Sequence, residues 1–351
     1  GRGCSDDGYS VYAALTAIRA LEDAGIPHPR AVGLIETREE SGSNDLEHYL
    51  KKNAARFGSP RLVCVLDSGA GNYEQLWLTS SLRGACAIDL NVRVLRQGMH
   101  SGTASGVVPS SFDVLRILLD RIQDPRTGAI LDPAFNVEIP SNRMDDMKKT
   151  AEVLGDGFIS EFPWAEGPNG SVQSRCRGTE EALIARCWKP TLSVTGAAGL
   201  PPLSMAGNSL RSDTTLRLSF RLPPTAKTEN ILPALQKKLL TDPPFNAVVS
   251  IAGGDALPGW NAPSEADWFR SACDESSKAL WGKPAMRIGE GGSIPILNLF
   301  EAQFPRAQFA VTGVLGPGSN AHNADESLDL AYTEKFIAAV GYLAASIPEE
   351  A

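Results

Sequence analysis

The spacing of the apolar residues changes twice along these 351 residues, near residue 81 and again after Pro258, and few architectures allow that. Before the first change, Val11, Ala14, Leu15, Ile18 and Leu21 recur at helical spacing and stop at Gly25, ahead of Pro27. This predicts a helix, with Asp6 or Ser10 as its cap. Short apolar runs at 31–36 and 61–66 predict buried strands, with a helix over 46–57 between them. Strand, loop, helix and strand in that order is α/β, built on a mainly parallel sheet.

Between the two changes the pattern is different. Residues 85–95 alternate polar with apolar, as a half-exposed strand does. Helices are predicted at 112–122 and 229–240, and another at 144–154 within the polar stretch 123–170. Further strands are predicted at 189–195, 214–221 and 247–251, giving an α+β unit with helices over one sheet face. Beyond Pro258 a helix at 265–281, a strand at 308–314 and a closing helix at 332–347 resume the α/β order. The simplest division makes 1–80 and 258–351 two parts of one α/β domain, interrupted by an inserted α+β domain at 81–257.

Composition excludes several functions. At 42% hydrophobic and 21% charged the chain is ordinary for a globular protein, and no run approaches the ~18 apolar residues of a membrane span. A net charge of −8 without a basic block argues against a nucleic-acid partner. The six cysteines, at 4, 64, 86, 176, 187 and 273, form no CxxC pair. They read as reduced thiols of a cytoplasmic protein, with a secreted chain holding a few disulfides as the alternative. The opening Gly-Arg-Gly carries neither Met nor signal peptide and begins on a glycine-rich turn, so a segment upstream of Gly1 is expected.

The polar residues that stand out lie where strands end. Glu39 and Glu40 follow the apolar run 31–36, at the sheet edge where open α/β sheets place ligands. Asp67 ends the next run, Asp6-Asp7 sits in a glycine-flanked turn, and His322 lies in the loop Gly316-Pro-Gly-Ser-Asn-Ala-His beyond another strand. Taken singly these read as a solvated acidic turn, a turn cap and an N-cap, with His322 equally a ligand or not. Together, carboxylates and an imidazole with no compensating basic cluster call for cations, and this donor set suits Zn²⁺, with Mn²⁺ or Co²⁺ as substitutes. Two ions sharing a carboxylate hold a hydroxide and polarise a carbonyl, and a neighbouring carboxylate then acts as base. Glu326, four residues past His322, is placed to orient the loop or the imidazole. In the middle unit His100 lies on a turn after a strand, Asn208 precedes a strand and Arg221 closes it. Arg221 is either a bidentate carboxylate binder or a surface arginine. Gly291-Gly292-Ser293 is a turn whose N–H groups could cradle an anion.

The joint pattern resembles a known group. Gly-Arg-Gly-x-x-Asp-Asp-Gly, Glu-Glu-Ser-Gly-Ser, the strand-terminal Asp67, Gly-Met-His-Ser-Gly, Glu-Gly-Gly-Ser-Ile-Pro and His322 with Glu326 are similar, in the same order, to the dinuclear zinc exopeptidases. That group includes cytosolic non-specific dipeptidase, carnosinase, glutamate carboxypeptidase and aminoacylase, and the likeness spans essentially the whole chain. It implies a catalytic domain interrupted by a lid and dimerisation domain, two Zn²⁺ ions, and hydrolysis of dipeptides or short peptides. It further implies Asp6 as the bridging ligand, Glu39 as general base, Glu40 and His322 on one ion and Asp67 on the other. His100 resembles the lid histidine lent to the partner subunit's active site, which implies a homodimer. Asn208, Arg221 and Ser293 resemble groups that bind the substrate's carbonyl and terminal carboxylate. One departure stands out: the family carries a His-x-Asp motif upstream of Gly-Arg-Gly, and none of His28, His48, His100 and His322 fills that position. The sequence as written is therefore expected to lack one ligand and to bind the Asp67-side ion poorly. The competing readings are an N-acyl amino-acid or carbamoyl amidohydrolase on the same zinc core, and a non-catalytic relative.

Overall fold

Two sheet systems, each with its own core, organise the chain. The computed structural model describes residues 1–349, and of Glu40 its backbone alone. The strand Trp77–Leu82 is buried along its whole length. It runs parallel to Met286–Glu290, pairing Trp77 with Met286 and Leu82 with Glu290, and antiparallel to Trp260–Asn261. Leu62–Val65 runs parallel to Gln308–Val311. The Thr312 hydroxyl donates to the Trp77 carbonyl at 2.6 Å and ties the two groups of strands together.

Helices pack on both sides of these strands, so Trp77–Leu82 is buried throughout despite its Thr and Ser residues. On one face Tyr9–Asp23, Asp267–Trp281 and Leu330–Ala345 contribute Ala13, Ala17, Phe269, Cys273, Tyr332 and Phe336 to a core that includes Trp77 and Leu78. On the other, Leu46, Leu50, Leu297, Phe300 and Phe304 close over Trp260 and Phe309. Each large side chain taken fully from water here contributes about 1.5–3 kcal/mol before entropy is counted.

The second sheet is antiparallel, in the order Val248–Leu257, Gly84–Arg93, Asp213–Leu222 and Thr191–Ala198. Alternate residues point inward: Ile88, Leu90 and Val92 from one central strand, Leu216, Leu218 and Phe220 from the other. The helices Ser111–Asp120 and Ile231–Leu240 cover that face with Val114, Leu118, Leu235 and Leu239. Between these strands the chain returns to the first core. The helices Ser141–Leu154 and Thr179–Trp188 place Met147, Leu183, Cys187 and Trp188 against Ile288 and its neighbours. No helix among the described residues is long and apolar enough to cross a membrane.

Two local expectations are corrected. Residues 31–36 form no strand, and Ile35 is 65% exposed. An apolar run becomes a strand only where a neighbour supplies the ladder, and no described strand pairs with it. Neither Asp6 nor Ser10 caps the first helix. The chain enters it through the tight Cys4–Gly8 turn, which puts Gly8 at the cap position.

Candidate metal centre and carboxylate pocket

The turn that carries Asp6 is held from below by Glu326. This carboxylate is 3% exposed. Its Oε2 accepts the Gly3 N–H at 2.9 Å, and its Oε1 accepts the Ser5 N–H at 2.8 Å, the Ser5 hydroxyl at 3.0 Å and the Asp6 N–H at 3.0 Å. Donation from Gly3, then from Ser5 and Asp6, outweighs burial and lowers the Glu326 carboxyl to about 2. Glu326 thus binds the backbone that presents Asp6. Glu326 is expected to orient the His322 loop or the imidazole; the bonds of its carboxylate run instead to the turn of Gly3, Ser5 and Asp6.

His322 reaches the same place from the far end of the chain. Its backbone is left-handed, with φ of 64°. Its Nε2 stands 2.7 Å from Asp6 Oδ2. Asp67 follows the strand Leu62–Val65, which pairs with Gln308–Val311. Beyond Leu62–Val65 and Gln308–Val311, the Asp67 and His322 loops run side by side, joined by the Ala70 N–H to the Leu315 carbonyl at 2.9 Å. Gly313 is required there, because a side chain would collide with the Ser68 backbone. The Tyr9 hydroxyl donates to the Leu66 carbonyl at 2.6 Å, and burial, then the charges of Asp67 and Asp7, pushes its pKa up. Asp7, Asp67 and Tyr9 are therefore electrostatic neighbours.

Glu39 opens the single turn Glu39–Ser41, half-buried, ahead of the left-handed Gly42. The side chain of Glu40, the expected zinc ligand beside it, lies outside the described residues. Among the described residues no three His, Cys, Asp or Glu groups stand close enough to hold one ion. Asp6 and His322 do face each other, and a carboxylate with an imidazole is a donor pair that Zn²⁺ and Mn²⁺ accept. That pair fits a divalent cation.

Two further pairs of expected residues come together. An Arg221 terminal nitrogen donates to Ser293 Oγ at 3.3 Å, and the Ser293 hydroxyl donates to the Arg83 carbonyl. Met99–His100 pairs with Ser209–Leu210, and the Ser101 N–H donates to the Asn208 carbonyl at 2.9 Å. His100 Nδ1 accepts the Gly102 N–H at 3.1 Å, which assigns the ring proton to Nε2 and leaves that N–H to donate outward.

Sequence reasoning passed over Arg83 and Arg186. Arg83 Nε donates to the Gly291 carbonyl at 3.2 Å. Arg186 pairs with Glu290 at 3.5 Å. The signal available for Arg83 was an arginine just ahead of Gly84, where the apolar spacing changes.

Comparison with known proteins places the chain among metallopeptidases. The Cys-Gly metallodipeptidase dug1 of Schizosaccharomyces pombe is 26% identical over 341 residues, covering 94% of this chain and 69% of that protein. The cysteinylglycine-S-conjugate dipeptidase of Corynebacterium striatum is 25% identical over 337 residues, covering 94% of this chain and 70% of that one. The structure of the di-peptidase Dug1p from Saccharomyces cerevisiae superposes with a TM-score of 0.77 at 23% identity, over 99% of this chain and 73% of the other. The model of peptidase family M20/M25/M40 matches residues 1–347, nearly the whole chain, and the chain belongs to that family.

Proposed function

We propose that the protein is a zinc-dependent dipeptidase that acts on dipeptides or short peptides with a free carboxyl terminus. The observation that carries this is the meeting of Asp6 and His322 at 2.7 Å from opposite ends of the chain, with Glu326 fixing the Asp6 turn. Asp6, Glu40, Asp67 and His322 are the residues that would hold two Zn²⁺ ions. The ions, when bound, supply Lewis acidity and lower the pKa of water.

The protein's own groups do the rest. Glu39 takes a proton from the attacking water as the C–O bond forms and gives a tetrahedral oxyanion, then delivers that proton to the amine nitrogen as the C–N bond breaks. His100 of a second copy donates from Nε2 to the oxyanion, and Asn208 helps to hold the scissile carbonyl. Arg221 and Ser293 hold the terminal carboxylate, Arg221 as a fork of fixed N–H donors.

Three structural points support the remaining parts of the proposal. The Thr191–Ala198 strand has a ladder partner on one side only. Near that edge the chain exposes Val194, Leu203 at 94% and Met205 at 75%, an apolar surface suited to a second copy. All six cysteines are free, which favours a cytoplasmic protein. The inserted unit is placed at 81–257 because its four-stranded sheet has a core of its own, while the helices Ser141–Leu154 and Thr179–Trp188 within it pack on the first core.

The test is hydrolysis of Cys-Gly, carnosine and an N-acetyl amino acid by chelated protein and by protein resupplied with Zn²⁺ or Mn²⁺. Metal-dependent cleavage of a dipeptide is expected. Cleavage of the N-acetyl amino acid alone would move the assignment to an amidohydrolase.

A further inference from the structure

The chain crosses between its two sheets where backbones touch. A side chain at Gly259 would lie 2.6 Å from Pro224 Cα and 2.7 Å from the Leu82 carbonyl, and one at Gly84 would collide with the Leu257 carbonyl. Arg83 sits in the middle of this crossing, 8% exposed. Its guanidinium donates to the Gly291 carbonyl at 3.2 Å, the Lys189 carbonyl at 3.4 Å and Thr191 Oγ1 at 3.3 Å. Its own carbonyl accepts the Ser293 hydroxyl, and Ser293 Oγ in turn accepts from Arg221. A single residue therefore grips the Gly291–Ser293 turn at both ends.

The charge balance around it is unusual. Among the described residues Arg83 bonds only to carbonyl and hydroxyl oxygens, with no carboxylate pairing its charge. Burial pushes its pKa down to about 10, and the nearby cations Arg221 and Arg186 add to that. A buried cation without a counter-ion is costly, and a protein tolerates it where an anion arrives. Glu290 offsets Arg186 alone.

We infer that Arg83 is a positioning residue for the substrate's terminal carboxylate: it sets the Gly291–Ser293 turn, aims Arg221 through Ser293, and adds positive charge that favours an anionic chain end. This rests on the dipeptidase reading of the Arg221 and Ser293 pocket. It deepens that reading by making the discrimination between a free carboxylate and an amide depend on a residue remote from the metal centre.

The experiment compares the full chain with Arg83→Lys and Arg83→Met. Hydrogen exchange is followed over residues 289–295, and kinetics are measured on Cys-Gly and on Cys-glycinamide. In Arg83→Lys, which keeps the charge but loses the fork, KM for Cys-Gly is expected to rise roughly 10- to 100-fold with kcat nearly unchanged. Cys-glycinamide should be little affected, and exchange over 289–295 should quicken in both variants. An equal loss on both substrates, an unchanged KM, or unchanged exchange over 289–295 overturns the inference. If the unmodified protein cleaves neither substrate, the dipeptidase reading fails by itself. The exchange result still decides whether Arg83 sets the turn.

Discussion

Replacing Glu326 with Gln should cost the fold about 3 kcal/mol while leaving its volume unchanged, and the figure follows from the bonds this carboxylate makes. Oε1 takes three donors, the Ser5 N–H, the Ser5 hydroxyl and the Asp6 N–H, and Oε2 takes the Gly3 N–H. In the variant the amide oxygen keeps the three donors, and the amide NH₂ is left facing the Gly3 N–H. A hydrogen bond to a charged acceptor is worth about 1.5–3 kcal/mol net and one to a neutral acceptor about 0.5–1.5. Three bonds thus weaken, and one buried donor is orphaned at a cost of about 1–3 kcal/mol. Relaxation of the turn recovers part of that sum.

The assay is urea unfolding in the presence of a chelator, so that metal affinity does not enter. A second signature comes from pH. The folded carboxyl titrates near 2 against a usual 4.5, so its contribution is fully present above 4.5 and disappears as pH falls toward 2. The stability gap between the parent and Glu326→Gln should therefore be constant above pH 4.5 and narrow below it. A loss under about 1 kcal/mol, or a gap that does not change between pH 6 and pH 3, would refute the reasoning.

Other predictions are more direct. Glu39→Gln should abolish dipeptide turnover with metal content unchanged by elemental analysis, since a general base handles the proton and is not needed to hold the ion. If the proposed dimer forms through the exposed Leu203 and Met205, Leu203→Asp with Met205→Asp should lower the mass seen in analytical ultracentrifugation to that of one chain. Gly291→Ala should raise KM for Cys-Gly several-fold, roughly 3- to 10-fold, because its Cβ would stand 3.1 Å from both Arg186 Cγ and an Arg83 nitrogen, and the turn must shift. Leu218→Ala, in the core of the second sheet, should cost about 2–5 kcal/mol in unfolding free energy and leave substrate discrimination unaltered.

Which parts of this were legible in the sequence depends on where each residue's information lies. Residues 85–95 and 214–221 alternate because one face of their sheet meets helices, and the strands Gly84–Arg93 and Asp213–Leu222 match the expectation closely. Trp77–Leu82 carries no such signal. It is covered on both faces, so its side chains show no period, and it is recognisable only from its neighbours in space. The run 31–36 errs in the opposite direction: its composition is that of a strand, but pairing comes from other residues and no described strand supplies it. The motif residues behave in the same way. Asp6 and His322 are conspicuous by type, and so is Glu326, yet the backbone N–H groups through which Glu326 holds the Asp6 turn leave no mark in the side-chain pattern.

Arg83 is the strongest case. Its residue type is common, its partners are backbone carbonyls and a hydroxyl, and the two ends of the turn it grips lie some 210 residues further on. A sequence advertises the groups that touch a substrate because their chemistry is specialised. It does not advertise the groups that aim them, because any well-placed donor would serve, and placement is a property of the fold. The aiming residues of this pocket should therefore tolerate a change of type better than a change of length. Arg83→Lys, with its shorter reach and single point of donation, tests that distinction more sharply than removal of the charge.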